Sequence, residues 1–167
     1  MTGGTVISRG IACAALAILL AGVAPAAAKT DAPPPRPVLL VEGDCDAIGA
    51  TVEQLTDATY PTGDHAGTAS AIVAETSFTR VNASLEAILG APHAVVVLTS
   101  ADDPTALSCG EVGGIEDELG ALIIGLRETG MSNYAGIAFI APDTETGGSS
   151  ISLFVAPDSD PNAPPTP

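Results

Sequence analysis

Few side chains in this sequence suit chemistry, and their spacing limits what they could do. Glu42, Asp44, Asp46 and Glu53 in "EGDCDAIGATVE" stand at positions 1, 3, 5 and 12 of a loop of the kind that wraps calcium, a hard cation taking six or more oxygens. Ala47 stands where the sharp turn of such a loop demands glycine, and Cys45 within it restricts it further. A solvated acidic turn is therefore the plainer expectation. Asp64 and His65 in "TGDHAGT" offer two zinc ligands at most, where a site takes three or four. His93, the one other histidine, opens an apolar run and is expected at a strand edge. No serine lies in a Gly-x-Ser-x-Gly frame, and no glycine-rich phosphate loop follows a strand. "VNAS" (81–84) is a glycosylation sequon, meaningful only in a host that uses it. These residues point to no cofactor, with zinc or calcium at Asp64–His65 or among the 42–53 acids as the alternative.

The elements that position these residues begin after a leader. Arg9, the apolar run Ile11 to Val23 and the small residues Ala26 to Ala28 have the order of a secretory signal, expected over 1–28. The run is about 13 residues, against the roughly 20 needed to cross a bilayer, so no stable membrane insertion is expected. Cleavage after Ala28 also removes Cys13 and leaves Cys45 and Cys109 alone in an oxidising compartment. By elimination they pair. The location expected is secreted or extracytoplasmic, and the alanine-rich leader has a bacterial character.

The whole chain has a formal net charge of −15. Without the leader, four basic side chains face 20 acidic ones, hence −16. Such a surface repels nucleic acid and anionic lipid, and no aromatic or basic platform offsets it. Nucleic acid is excluded as a partner; a protein or glycan remains.

Proline-rich stretches frame the rest: a linker over 29–37 and a tail over 157–167, both expected to be extended. Between them short β-type runs alternate with turn residues. Strands are expected at 38–43, 68–75, 93–100, 134–141 and 150–156, with a weaker one at 51–57. "SLEAIL", between Ser84 and Gly90, reads as a short helical turn capped at both ends. "IEDELGALIIGLRE" (115–128) has apolar residues at helical spacing, but Gly120 and Gly125 each cost about 1 kcal/mol relative to Ala inside a helix. From periodicity alone the segment stays open between helix and strand. The fold class expected is all-β, a barrel or sandwich over 38–156 with one helical turn.

Three stretches give this fold a family resemblance. "VVVLTSADDP" followed by "LSCG", "VLLVEGDC" and "TASAIVAETSFTRV" resemble segments of the copper/zinc superoxide dismutases. The resemblance covers most of 38–114 and implies a Greek-key barrel in which Cys45 and Cys109 match the family disulfide. "ALIIGLRETGMSNYAGIAFIAPDTETGGSSISLFVA" (121–156) is similar to the family's first three strands, which normally come first. The resemblance therefore implies a circular permutation with the chain opened before Val38, ends side by side at Pro37 and Ala156, and 121–127 as a strand.

The family's chemistry does not carry over. Its copper is held by imidazoles, yet Leu39 to Val41 and Leu98 occupy the ligand positions, and Ala106 stands for the guiding arginine. Asp102 falls on the acid that in the family links the metal-bound histidines; here it is expected to stabilise a turn with Asp103 and Pro104. The resemblance thus implies a secreted, non-catalytic relative with a structural or binding role. A zinc- or calcium-binding protein is the alternative, and an active dismutase a remote third.

Overall fold

The computed structural model describes residues 1–3 and 33–158. Residues 1–3 have no regular structure. The rest of the expected leader, the beginning of the linker and the end of the tail lie outside the described residues. Eight strands and one short helix follow in chain order: β1 Arg36–Gly43, β2 Ile48–Ala58, β3 Glu75–Val81, α1 Leu85–Leu89, β4 His93–Leu98, β5 Ala106–Glu111, β6 Leu122–Glu128, β7 Tyr134–Pro142 and β8 Ser149–Pro157. All neighbours are antiparallel, in the order β2-β1-β4-β5-β6-β7-β8-β3.

The two edge strands nearly close this sheet into a barrel. Thr59 and Thr76 form a backbone bridge, with N–H···O distances of 3.1 and 2.9 Å. Side chains complete the seam: the Thr56 amide donates to Thr79 Oγ1 at 2.7 Å, and the Ser77 hydroxyl donates to the Thr56 carbonyl. Opposite this seam the pairing is also thin, since β5 and β6 share only Ser108↔Glu128 and Cys109↔Arg127. The barrel therefore has two well-paired halves, β2-β1-β4-β5 and β6-β7-β8-β3.

Alternation builds the interior. Leu122, Ile124 and Leu126 on β6, Ala138 and Ile140 on β7, and Ile151, Leu153 and Val155 on β8 point inward. They meet Val38 and Leu40 of β1 and Val95 and Val97 of β4 in one aliphatic core. The period-2 pattern puts every second residue of a strand on this face. On β1 and β4 the apolar runs are continuous because both faces are covered, as a strand buried on two sides requires. Val41, Ala94 and Val96 form a second, outer cluster there with Cys109 of β5.

α1 caps one end of the barrel. The Ser84 hydroxyl accepts the Ala87 amide at 3.2 Å, Gly90 closes the helix, and Leu85 and Ile88 enter the main core. Here the expected helical turn and its two caps are in place.

Other expectations shift. Residues 68–74 are not strand; the third strand begins at Glu75, and Thr68–Ala71 is a turn closed by Ala71 N–H to Thr68 C=O at 3.0 Å. The strand that does form escaped notice because its pattern is inverted: on β3 the polar Glu75 and Ser77 point inward and Phe78 points out. The fourth strand stops at Leu98 rather than residue 100, and β5 was not expected as a strand. The weak strand at 51–57 is an 11-residue strand. The ambiguous segment divides: 115–121 is irregular, with Ile115 and Leu119 almost wholly exposed and Gly120 at φ 75°, whereas 122–128 is strand. The expected linker ends early, because Arg36 and Pro37 already belong to β1.

Candidate functional site

The disulfide organises the outer face of β1, β4 and β5. Cys45, in the β1–β2 turn, bonds to Cys109 on β5 with 5.7 Å between Cα atoms, closing a loop across 64 residues. The pairing expected by elimination is present. Around it lie Val41, Ala94 and Val96, with Leu39, Leu98 and Ala106 packed against them. These include every residue that the dismutase resemblance sets at a copper-ligand or guiding position. Their side chains carry hydrogen and carbon only, so no lone pair is available to a metal. A redox copper does not fit this face.

The acidic turn that could suit calcium is organised by its own backbone. Asp44 Oδ1 accepts the amides of Asp46 at 2.9 Å and Ala47 at 2.7 Å. Asp46 turns away to meet Arg127 on β6, Nη2 to Oδ1 at 2.9 Å. Glu42 and Glu53 stand on the paired strands β1 and β2, outside this turn. Among the described residues no three His, Cys, Asp or Glu side chains group closely enough to hold a metal ion. His65 and Asp64 lie exposed in the 59–74 loop, beside a shallow hollow of about 320 Å³ that Tyr60, Ala71 and Val73 also line.

His93 is engaged otherwise. Its Nδ1 faces two acceptors, the carbonyls of Ile88 at 2.8 Å and Ala91 at 2.9 Å, so this nitrogen carries the proton. The ring ties the C-terminal end of α1 to the start of β4.

In the β4–β5 turn the organising carboxylate is Asp103, not Asp102. Asp103 Oδ1 accepts the Thr105 amide at 3.0 Å, and its own amide donates to Ser100 Oγ at 3.0 Å. The bonds to Thr105 hold the Asp103 carboxyl below the usual carboxylate range. Asp102 is exposed beside it. Thr99 anchors the turn at its base, with its amide and hydroxyl both donating to the Thr105 carbonyl at 2.9 Å.

Sequence reasoning missed a polar group that joins four elements of the described chain. At the barrel end opposite α1, buried Arg36 donates from Nε to Glu75 Oε1 at 2.8 Å, from Nη1 to the Thr99 carbonyl at 3.0 Å, and from Nη2 to the Tyr134 hydroxyl at 2.9 Å. Its guanidinium also lies 4.5 Å from the Tyr134 ring centroid. One side chain thus joins β1, β3, the β4–β5 turn and β7. Glu75 is fully buried, and its Oε2 has no hydrogen-bond partner among the described residues. Burial pushes its carboxyl up, and Arg36 draws it part of the way back. The only sequence signal was an arginine within "PPPRP", where proline suggests a tail. The arrangement is a structural clasp across four elements of the barrel.

The residues weighed as ligands thus fall in a buried apolar cluster, in two hydrogen-bonded acidic turns and in an exposed loop. Comparison with protein-family models, curated proteins and solved structures finds no match to this chain.

Proposed function

We propose that this chain is an extracytoplasmic, non-catalytic β-barrel domain with a structural or binding role, descended from a copper/zinc superoxide dismutase-like barrel by circular permutation. One observation carries the reading. Leu39, Val41, Leu98 and Ala106, the residues at the resemblance's ligand and guiding positions, belong to one apolar cluster built on the Cys45–Cys109 disulfide. A packed apolar layer has replaced the imidazoles, and the disulfide that framed them is retained. Permutation is supported by two placements. Residues 122–157 lie in the same sheet as β1. Arg36, at the start of β1, meets Tyr134, whose register partner is Pro157 at the end of β8. The disulfide supports an oxidising location, and the charge of −15 opposes nucleic acid and anionic lipid as partners.

The experiment is metal content and superoxide dismutation, measured on oxidised protein exposed to copper, zinc and calcium and then dialysed. The reading expects less than a tenth of an ion per chain and no dismutation above free buffer. One bound copper with turnover overturns it. One zinc or calcium without turnover, lost in His65→Ala or Asp44→Ala, replaces it with the metal-binding alternative.

A further inference from the structure

All three phenylalanines of the protein lie outside the core, on one face. The outward positions of β6, β7, β8 and β3 form rows across the sheet. Gly125, Ile137, Phe154 and Thr76 are successive register partners in one row; Ile123, Phe139, Ser152 and Phe78 are partners in the next. Phe78, Phe154, Ile123 and Ile137 keep 54%, 44%, 63% and 47% of their surface exposed. Phe139 is half-buried between them, and the exposed rings of Phe78 and Phe154 stand where a partner can reach them.

We infer that this face is a reversible homodimer interface, in which Phe154 of each copy enters the groove beside Phe154 of the other. Three observations favour a second copy as the occupant. The first is charge. No outward position of these four strands carries a carboxylate, and the two arginines at outward positions each pair with a carboxylate of the same chain, Arg80 with Asp143 at 3.4 Å and Arg127 with Asp46 at 2.9 Å. Two chains of net charge −15 can meet here without apposing like charges or burying an unpaired one.

The second is relief. Beside Phe154 lies a groove of about 280 Å³ floored by Ala74, Ala135 and Ala156, large enough for a benzyl side chain. A ring next to its own groove is what a two-fold pairing needs, since each copy then supplies both halves of the contact. The third is size. The β3–β8 register runs seven pairs, so the face measures about 23 by 19 Å from ordinary strand rise and spacing. Two such planes, with side-chain relief added, approach the roughly 1,000 Å² at which specific interfaces begin. Packing sheet on sheet at about 10 Å is an established geometry for such faces. A patch of this size belongs with weak, transient interfaces, so the dimer forms only as concentration rises. The inference goes beyond the lineage proposed above and does not depend on it, because a metal-loaded chain would present the same face.

Sedimentation velocity over a micromolar to millimolar concentration range tests it. The expected result is a monomer–dimer equilibrium whose midpoint moves on the order of thirtyfold or more in Phe154→Glu, with the far-ultraviolet circular dichroism retained. Phe154→Trp gives a reporter that does not depend on a disruptive change, since the protein has no tryptophan. Its emission should shift to the blue as concentration rises through that midpoint. A monomer throughout the range overturns the inference. So does a dimer that forms with no change in the tryptophan emission, which would place the interface elsewhere.

Discussion

Arg36 and Glu75 meet at 2.8 Å inside one end of the barrel, the first residue of β1 against the first residue of β3, with edge strand β2 between them where the sheet closes on itself. The pair bridges the side on which β2 and β3 close by one backbone bridge. A charge pair in such a position is stabilising only while both partners are present, because each alone is a buried charge with nothing to offset its lost hydration.

Glu75→Leu is therefore expected to cost about 3–5 kcal/mol, whereas Arg36→Met combined with Glu75→Leu should recover most of that loss. Urea unfolding of the two variants and the parent measures this directly. If the double variant is as unstable as the single one, the clasp acts through hydrogen bonds to Thr99 and Tyr134 rather than through its charges.

The pH profile follows from two opposed shifts. Glu75 has a folded-state pKa raised by burial, against the pull of Arg36. Its contribution is complete below the ordinary glutamate range and is lost as pH rises through the raised value. Asp103, held low by Thr105, contributes above the ordinary aspartate range and loses that contribution as pH falls through its depressed value. Melting temperatures across a pH series should show Glu75→Gln flattening the decline above the ordinary glutamate range. Asp103→Asn should flatten the acid limb. An unchanged profile in either variant refutes its assignment.

Removing the disulfide with Cys45→Ala and Cys109→Ala should destabilise the domain by about 4 kcal/mol, from the 64-residue separation alone. Because Cys109 is also part of the outer apolar cluster, the measured loss should exceed that of chemical reduction, which leaves both sulfur atoms in place. Equal losses would mean that the cluster contributes nothing beyond the cross-link.

Two strand-associated glycines allow close backbone approach. A Cβ at Gly136 would collide with the Phe154 carbonyl oxygen, and one at Gly148 with the Val81 carbonyl oxygen. Gly136→Ala and Gly148→Ala should each cost about 1–3 kcal/mol, whereas Gly125→Ala, whose Cβ would meet open space, should change stability little. Thermal unfolding of the three variants makes the comparison, and an equal cost at Gly125 would contradict it.

The sequence made the two-sided strands readable, because runs such as "AVVVL" leave no polar residue for a solvent face and β4 has none. It also made readable the capped turn of α1 and, by elimination, the cysteine pair. β3 was hidden because its alternation is inverted: Phe78 points outward while Glu75 and Ser77 point in, so burial by hydropathy ran against the fold. Glu75 can lie inside only because Arg36 comes from 39 positions away, and no local pattern carries that pairing. Residues 115–121 failed for the converse reason. Their helical spacing has no core to face, and Ile115 and Leu119 remain in water. The acids at 42–53 matched a loop spacing, but β1 and β2 draw Glu42 and Glu53 apart into a ladder.

The clasp also sets how the domain bears load. β1 begins, and β8 ends, at the barrel end that Arg36 holds. Tension applied through both termini would thus peel strands away one hydrogen bond at a time, beginning at Arg36, rather than shear a whole ladder at once. A domain tethered at both ends in this way yields at low force and can re-form when the tension is released, with the Cys45–Cys109 bond limiting how far the chain between them can extend.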